Sequence, residues 1–159
     1  MAHVRRADRE ITDTATIGTL LASGRWVTIA MARDGEPYLV TMSYGYDASG
    51  RALYFHSAHE GQKADWLAAN PRVCATVVDD RGYRDGRCEH EYASVVLRGT
   101  MGFVGDPEER RHGMRVLTGQ LESDPEAVFA KHRLDGDKVY ERMAVLRLTI
   151  EEITAKQGT

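Results

Sequence analysis

Cysteine is scarce in this chain of 159 residues: Cys74 and Cys88 stand alone, too few for a disulfide framework. The four prolines are scattered, so no proline-rich linker divides the chain. No apolar run reaches the ~20 residues that a membrane helix needs. Basic residues do not exceed acidic ones, 21 against 24, and the net charge of −3 gives no electrostatic reason to expect nucleic acid. Met1 to Asp13 is polar and lacks the apolar segment of a secretion signal, so a cytoplasmic location is the default expectation. A GxGxxG pattern is absent, which argues against a dedicated Rossmann site for a nicotinamide nucleotide. What remains is an ordinary balance, 42% hydrophobic and 28% charged, enough for one core. A single domain over residues 1–159 is expected.

Periodicity supplies the elements. Ile17, Leu20 and Leu21 are spaced for a first helix, with Thr12 or Asp13 as its cap and Gly24 as its end. Strands follow at Trp26 to Ala32 and Tyr38 to Tyr44, joined by a hairpin turn at Arg33-Asp34-Gly35-Glu36. Another turn at Asp47-Ala48-Ser49-Gly50 leads to a strand at Leu53 to Ser57. A helix from about Glu60 to Ala69 is stopped by Asn70-Pro71. Val73 to Val78 reads as a short strand, and the charged stretch Asp79 to Glu91 as a loop. Tyr92 to Val104 reads as a long strand kinked at Gly99 or Gly102. Asp106-Pro107-Glu108-Glu109 and Asp124-Pro125-Glu126 both carry the cap, first-turn proline and acids of a helix start. The last strand, about Met143 to Ile153, alternates Leu146, Leu148 and Ile150 with Arg147 and Thr149. Six strands joined mostly by short turns predict a largely antiparallel sheet, closed or half-closed into a barrel.

The central segment reads Tyr54-Phe55-His56-Ser57-Ala58-His59-Glu60-Gly61-Gln62-Lys63-Ala64-Asp65-Trp66-Leu67, then Asn70-Pro71. A strand that ends in small polar residues and feeds a helix start leaves amide donors free for an anion. Ser57 can add a hydroxyl donor and Lys63 an ammonium, while Gly61 lets the backbone come close. This strand–turn–helix resembles the signature of the pyridoxamine 5′-phosphate oxidase-like split-barrel family, in its nitroimidazole-resistance, flavin-nucleotide-binding branch. Asp34-Gly35-Glu36-Pro37-Tyr38, Ser43-Tyr44-Gly45-Tyr46, Val73-Cys74 and Tyr92-Ala93-Ser94-Val95 resemble its flanking strands. Ile153-Thr154-Ala155-Lys156 resembles its ending, with Ala155 in place of a glycine.

The resemblance implies a six-stranded antiparallel split β-barrel with flanking helices. It implies a two-fold homodimer with flavin mononucleotide (FMN) at the interface and both subunits lining each site. Cofactor contacts would come from Thr41, Met42, Ser43, Tyr44, Phe55, His56, Ser57, Ala58, Gly61, Lys63 and Tyr92, with His56 at the flavin edge as the catalytic candidate. The implied activity is a reductase passing electrons from NADH or NADPH to an electron-poor small molecule such as a nitroaromatic or quinone. Two alternatives stay open. Related split barrels hold haem or a deazaflavin, for which His56 or His59 could serve as an axial haem ligand. A non-catalytic flavin-nucleotide-binding module is the other. His56 and His59 could also suggest a metal, but zinc needs three or four ligands in the right geometry. Arg5, Arg6, Asp8 and Arg9 read as a solvated arm, and Cys74 as a small buried hydrophobe.

Overall fold

A computed structural model describes residues 3–158. The chain opens with helix α1 (Thr14–Ser23). The Asp13 carboxylate accepts the Thr16 N–H at 2.8 Å, and Gly24 ends the helix. Strands β1 (Trp26–Arg33) and β2 (Glu36–Ser43) form a hairpin. Its turn residues, Asp34 and Gly35, have φ of 51° and 83°, the left-handed pair that a two-residue hairpin needs. Then come β3 (Gly45–Asp47), β4 (Ala52–Ser57), α2 (Gln62–Ala69), β5 (Arg72–Arg84) and β6 (Glu89–Phe103). Helices α3 (Pro107–Leu121) and α4 (Pro125–His132), capped by Asp106 and Asp124, precede β7 (Ala144–Gly158). No helix among the described residues is long and apolar enough to cross a membrane.

The strands form one antiparallel sheet, in the order β2-β1-β5-β6-β7-β4-β3. It has seven strands, not six. At Tyr44 the chain leaves the partner of β1 and crosses to the opposite edge, where Gly45 pairs with Tyr54 as a separate strand. The two edges of the open sheet are therefore joined by a single residue.

The stretch 79–91 is not a loop but the far end of the β5–β6 hairpin. Its ladder runs on through Asp80↔Tyr92 to Arg84↔Glu89, with a register shift at Gly82. Arg84 pairs with Glu91 and His90 with Asp80 across it. Nearly all of its side chains face solvent, so no apolar alternation marks it in the sequence. The kink in β6 is a bulge at Arg98/Gly99, where a Cβ would lie 1.8 Å from the Thr149 carbonyl oxygen.

Alternation sorts the side chains into layers. Val27, Ile29, Leu53, Phe55, Val95, Leu97, Leu146 and Leu148 form the main core on one face of the sheet. A second apolar cluster lies outside it, where α3 and α4 cover β4 and β7 through Tyr54, Met114, Leu117, Phe129 and Val145. Two glycines permit this contact. A Cβ on Gly45 would lie 2.6 Å from the Leu117 backbone, and one on Gly113 would lie 2.6 Å from Tyr54 Cδ1.

The crossing at Tyr44 is anchored. Tyr44 is fully buried and its hydroxyl donates to the Leu21 carbonyl at 2.5 Å. The Gln120 side chain, from α3, donates to the Leu21 and Gly24 carbonyls and accepts the Tyr46 N–H.

Among the described residues no α-helix covers the outer face of β2, β1, β5 and β6. Register builds it in rows: Leu39-Ala30-Cys74-Arg98, then Thr41-Thr28-Thr76-Val96, then Ser43 beside Trp26, with Val78 beside Ser94. Trp26 is 64% exposed, Leu39 62% and Val78 58%. Cys74 is half-buried on this face rather than in the core.

Candidate functional site

Strand β4 ends at Ser57, and the chain turns through 58–61 into α2. Gly61 is the N-cap of α2, with φ of 123°, a backbone region that favours glycine, and with no side-chain cap. The first helical bond runs from Asp65 N–H to the Gly61 carbonyl at 3.1 Å. The amides of Gln62, Lys63 and Ala64 therefore lack intrahelical acceptors. They carry the positive end of the helix dipole.

Lys63 sits in this first turn, half-buried, and among the described residues its ammonium makes no hydrogen bond or ion pair. Burial pushes its pKa below the ordinary lysine value. A cation held partly out of water with no counter-ion is an electrostatic debt that an anion would relieve. His56 lies near it. Partial desolvation, and then the Lys63 charge, pull the imidazole pKa below its usual value, so the neutral ring is favoured near neutral pH. The ring keeps solvent-exposed surface despite this desolvation: one side is open and the other faces the α3/α4 layer.

The structure divides the residues expected at the site. A strand presents every second side chain to one face, so Thr41 and Ser43 look outward while Met42 packs against the barrel core. Tyr44 is 0% exposed and Phe55 is 1%. Both side chains belong to the core. His56, Ser57, Ala58, Gly61 and Lys63 do share one corner. The Ser57 hydroxyl, however, donates to the Ala58 carbonyl at 3.0 Å and must rotate to serve an anion.

The end of β2 adjoins this corner. Extending the β3–β4 register past Gly45↔Tyr54 would set Ser43 beside His56, but β2 peels away there to pair with β1. Tyr92 is elsewhere. It lies about eleven residues along β6 from Phe103, whose β7 partner Leu146 pairs with Phe55. At strand spacing that is on the order of 30 Å, too far to share a small ligand with Ser57 inside one protomer. Beside it, Lys156 Nζ stands 5.7 Å from the Tyr92 ring, and Arg5 and Arg9 line the same cleft.

Some features have no sequence signature. His59, one of the two axial-ligand candidates, has its Nε2 2.8 Å from the Tyr140 carbonyl and pins that segment to the β4–α2 turn. Arg147 pairs with Glu109 at 2.8 Å, and Tyr54 donates to the same carboxylate, which ties α3 to β4 and β7. Their partners lie 38 to 93 positions apart. No local motif announces such a contact.

The family model described as pyridoxamine 5′-phosphate oxidase matches residues 13–157. An uncharacterized protein of Rhizobium meliloti (strain 1021) is 34% identical over 102 residues, 62% of each chain. The match thus spans less than two thirds of that curated relative. Among solved structures, a candidate 5-nitroimidazole antibiotic resistance protein from Bacteroides thetaiotaomicron superposes with a TM-score of 0.77. It is 23% identical, and the match covers 94% of this chain and 86% of that one. An FAD-binding protein from Mesorhizobium loti gives 0.67 at 25% identity, covering 95% and 98%.

Proposed function

The chain belongs to the pyridoxamine 5′-phosphate oxidase family, and on that premise we propose that it is a flavin-dependent reductase, working as a homodimer with FMN. One observation carries the reading: the half-buried, unpartnered Lys63 ammonium beside the free amides of α2. That corner fits a phosphate, because it supplies charge and directional donors together. Its position beside the crossing from β2 to β3 leaves Thr41 and Ser43 to border a ring system on the outer face.

The bare face around Trp26, Leu39 and Val78 supports the homodimer. Exposed apolar side chains of this size on one sheet face, Trp26 and Val78 at one end and Leu39 two rows away, support a surface that is covered in the working state. The flavin-binding neighbour from Mesorhizobium loti is consistent with the cofactor class.

When bound, FMN supplies reversible acceptance and release of electrons. The chain's own groups have simpler tasks. Lys63 and the amides of Gln62 and Ala64 hold the phosphate. Thr41 and Ser43 orient the ring system by hydrogen bonds. His56, kept neutral, donates a hydrogen bond to the substrate or accepts a single proton from it. No side-chain nucleophile is needed. NADH or NADPH would be the reductant and an electron-poor nitroaromatic, quinone or azo compound the acceptor.

The test is a visible spectrum of the purified protein before and after addition of FMN, followed by nicotinamide oxidation with a nitroaromatic acceptor. Bound flavin and turnover above the free-FMN background are expected. Colourless protein whose melting temperature ignores added FMN refutes the reading, and a Soret band would mean haem. Bound flavin without turnover would mean a binding module.

A further inference from the structure

Behind His56 the sheet and its helical cover do not meet. Between β4, α3, α4 and the 3-10 turn at Lys138–Glu141 lies a cleft of about 320 Å³. Leu121, Val128, Val139 and Met143 form its sides, each only half-buried, with Met114 and Leu117 behind them. A cavity of 150 Å³ holds a single benzene ring, so this space suits a molecule of one or two rings, on the order of ten to fifteen heavy atoms.

The polar groups of the lining are few. Thr118 is spent, because its hydroxyl donates to the Met114 carbonyl at 2.8 Å. The side chains of His56, Glu122 and His132 make no hydrogen bond with a described residue and are free for a ligand. Glu122 also sits at the carbonyl end of α3, where a carboxylate and the helix dipole both repel anions. The cleft is thus apolar in its walls, with the Glu122 carboxylate at one rim, where Arg25 also donates to the Leu121 carbonyl, and the exposed His56 imidazole, near Lys63, at another.

We propose that this cleft is a binding site for an uncharged aromatic molecule of one or two rings, with one polar substituent hydrogen-bonded to His56. Binding by itself needs no flavin. The assignment of this ligand as the electron acceptor rests on the function proposed above. His56 would then touch both sites, since its neighbour Ser57 borders the phosphate corner and its own ring floors the cleft.

Calorimetric titration of the purified full-length chain with 2-naphthol, and with 2-naphthalenesulfonate as an anion of the same shape, tests the proposal. The naphthol is expected to bind at least tenfold more tightly than the sulfonate. Leu121→Trp fills the cleft and should weaken naphthol binding at least tenfold. Val128→Phe narrows it from the opposite wall and serves if Leu121→Trp does not fold. His56→Ala should weaken binding about fivefold. Flavin content, read by absorbance, should not change in the two wall variants. Naphthol that fails to bind, or binds the wall variants as well as the parent, overturns the site. Equal affinity for the sulfonate overturns the ligand class. Loss of flavin binding in the parent would instead refute the proposed function and leave the cleft result standing.

Discussion

Replacing Lys63 by Met separates a phosphate contact from a merely structural lysine. A charge-assisted hydrogen bond contributes about 1.5–3 kcal/mol. Lys63 is only half-buried, so screening by water puts the expectation in the lower half of that range. The dissociation constant for FMN should therefore rise about 12- to 40-fold. Riboflavin, which is FMN without its phosphate, provides the control. Its affinity should change less than about twofold, because the contact in question is to the missing group. Fluorescence quenching of each flavin by parent and variant measures all four values. The flavin-free variant should also melt at a higher temperature than the parent. Burial disfavours the charged form of Lys63, so the folded protein gains when that charge is removed. Equal losses for FMN and riboflavin would show that Lys63 only shapes the turn. Unchanged FMN affinity at moderate salt would remove it from the site.

The other expectations are brief. Leu39→Asp with Val78→Asp places charge on the bare face, and light scattering should show a dimer for the parent, as proposed, and a monomer for the variant; an unchanged dimer means that another face pairs. Gly99→Ala drives a Cβ into the Thr149 carbonyl at the β6 bulge and should destabilise the chain by about 3 kcal/mol or more, read from denaturant midpoints. The lowered pKa of His56 has a definite sign. Its contribution to stability is whole above the unfolded value near 6.5 and is lost as pH falls through the lower folded value. His56→Gln should flatten melting temperature against pH in that acidic window, and an unaltered profile would show that the ring is not perturbed.

The parts legible in sequence were those with local causes. Asp13, Asp106 and Asp124 cap helices through their own neighbours, and Asp34-Gly35 dictates its turn, so these elements lie where the residues say. The β5–β6 tip was illegible because pairing through an exposed ladder leaves no apolar alternation. The separate β3 was illegible because only its distant partner β4 distinguishes it from β2. At the candidate site, the strand–turn–helix from His56 to Lys63 was readable as a unit. The run Thr41 to Tyr44 was not, since consecutive residues of a strand face opposite ways, and choosing between them needs the barrel's curvature. The cleft could not be foreseen at all, being a gap between elements far apart in the chain.

Gln120 gives the molecule a mechanical property. One amide side chain grips the end of α1 and the start of β3, at the place where Tyr44 carries the chain from one sheet edge to the other. That amide belongs to the helix that walls the aromatic cleft. A displacement of α3 by an incoming molecule must then either stretch three hydrogen bonds or drag the seam between β2 and β3 along with it. The wall of the cleft behind His56 and the seam at Tyr44 are in this way tied to each other through one side chain.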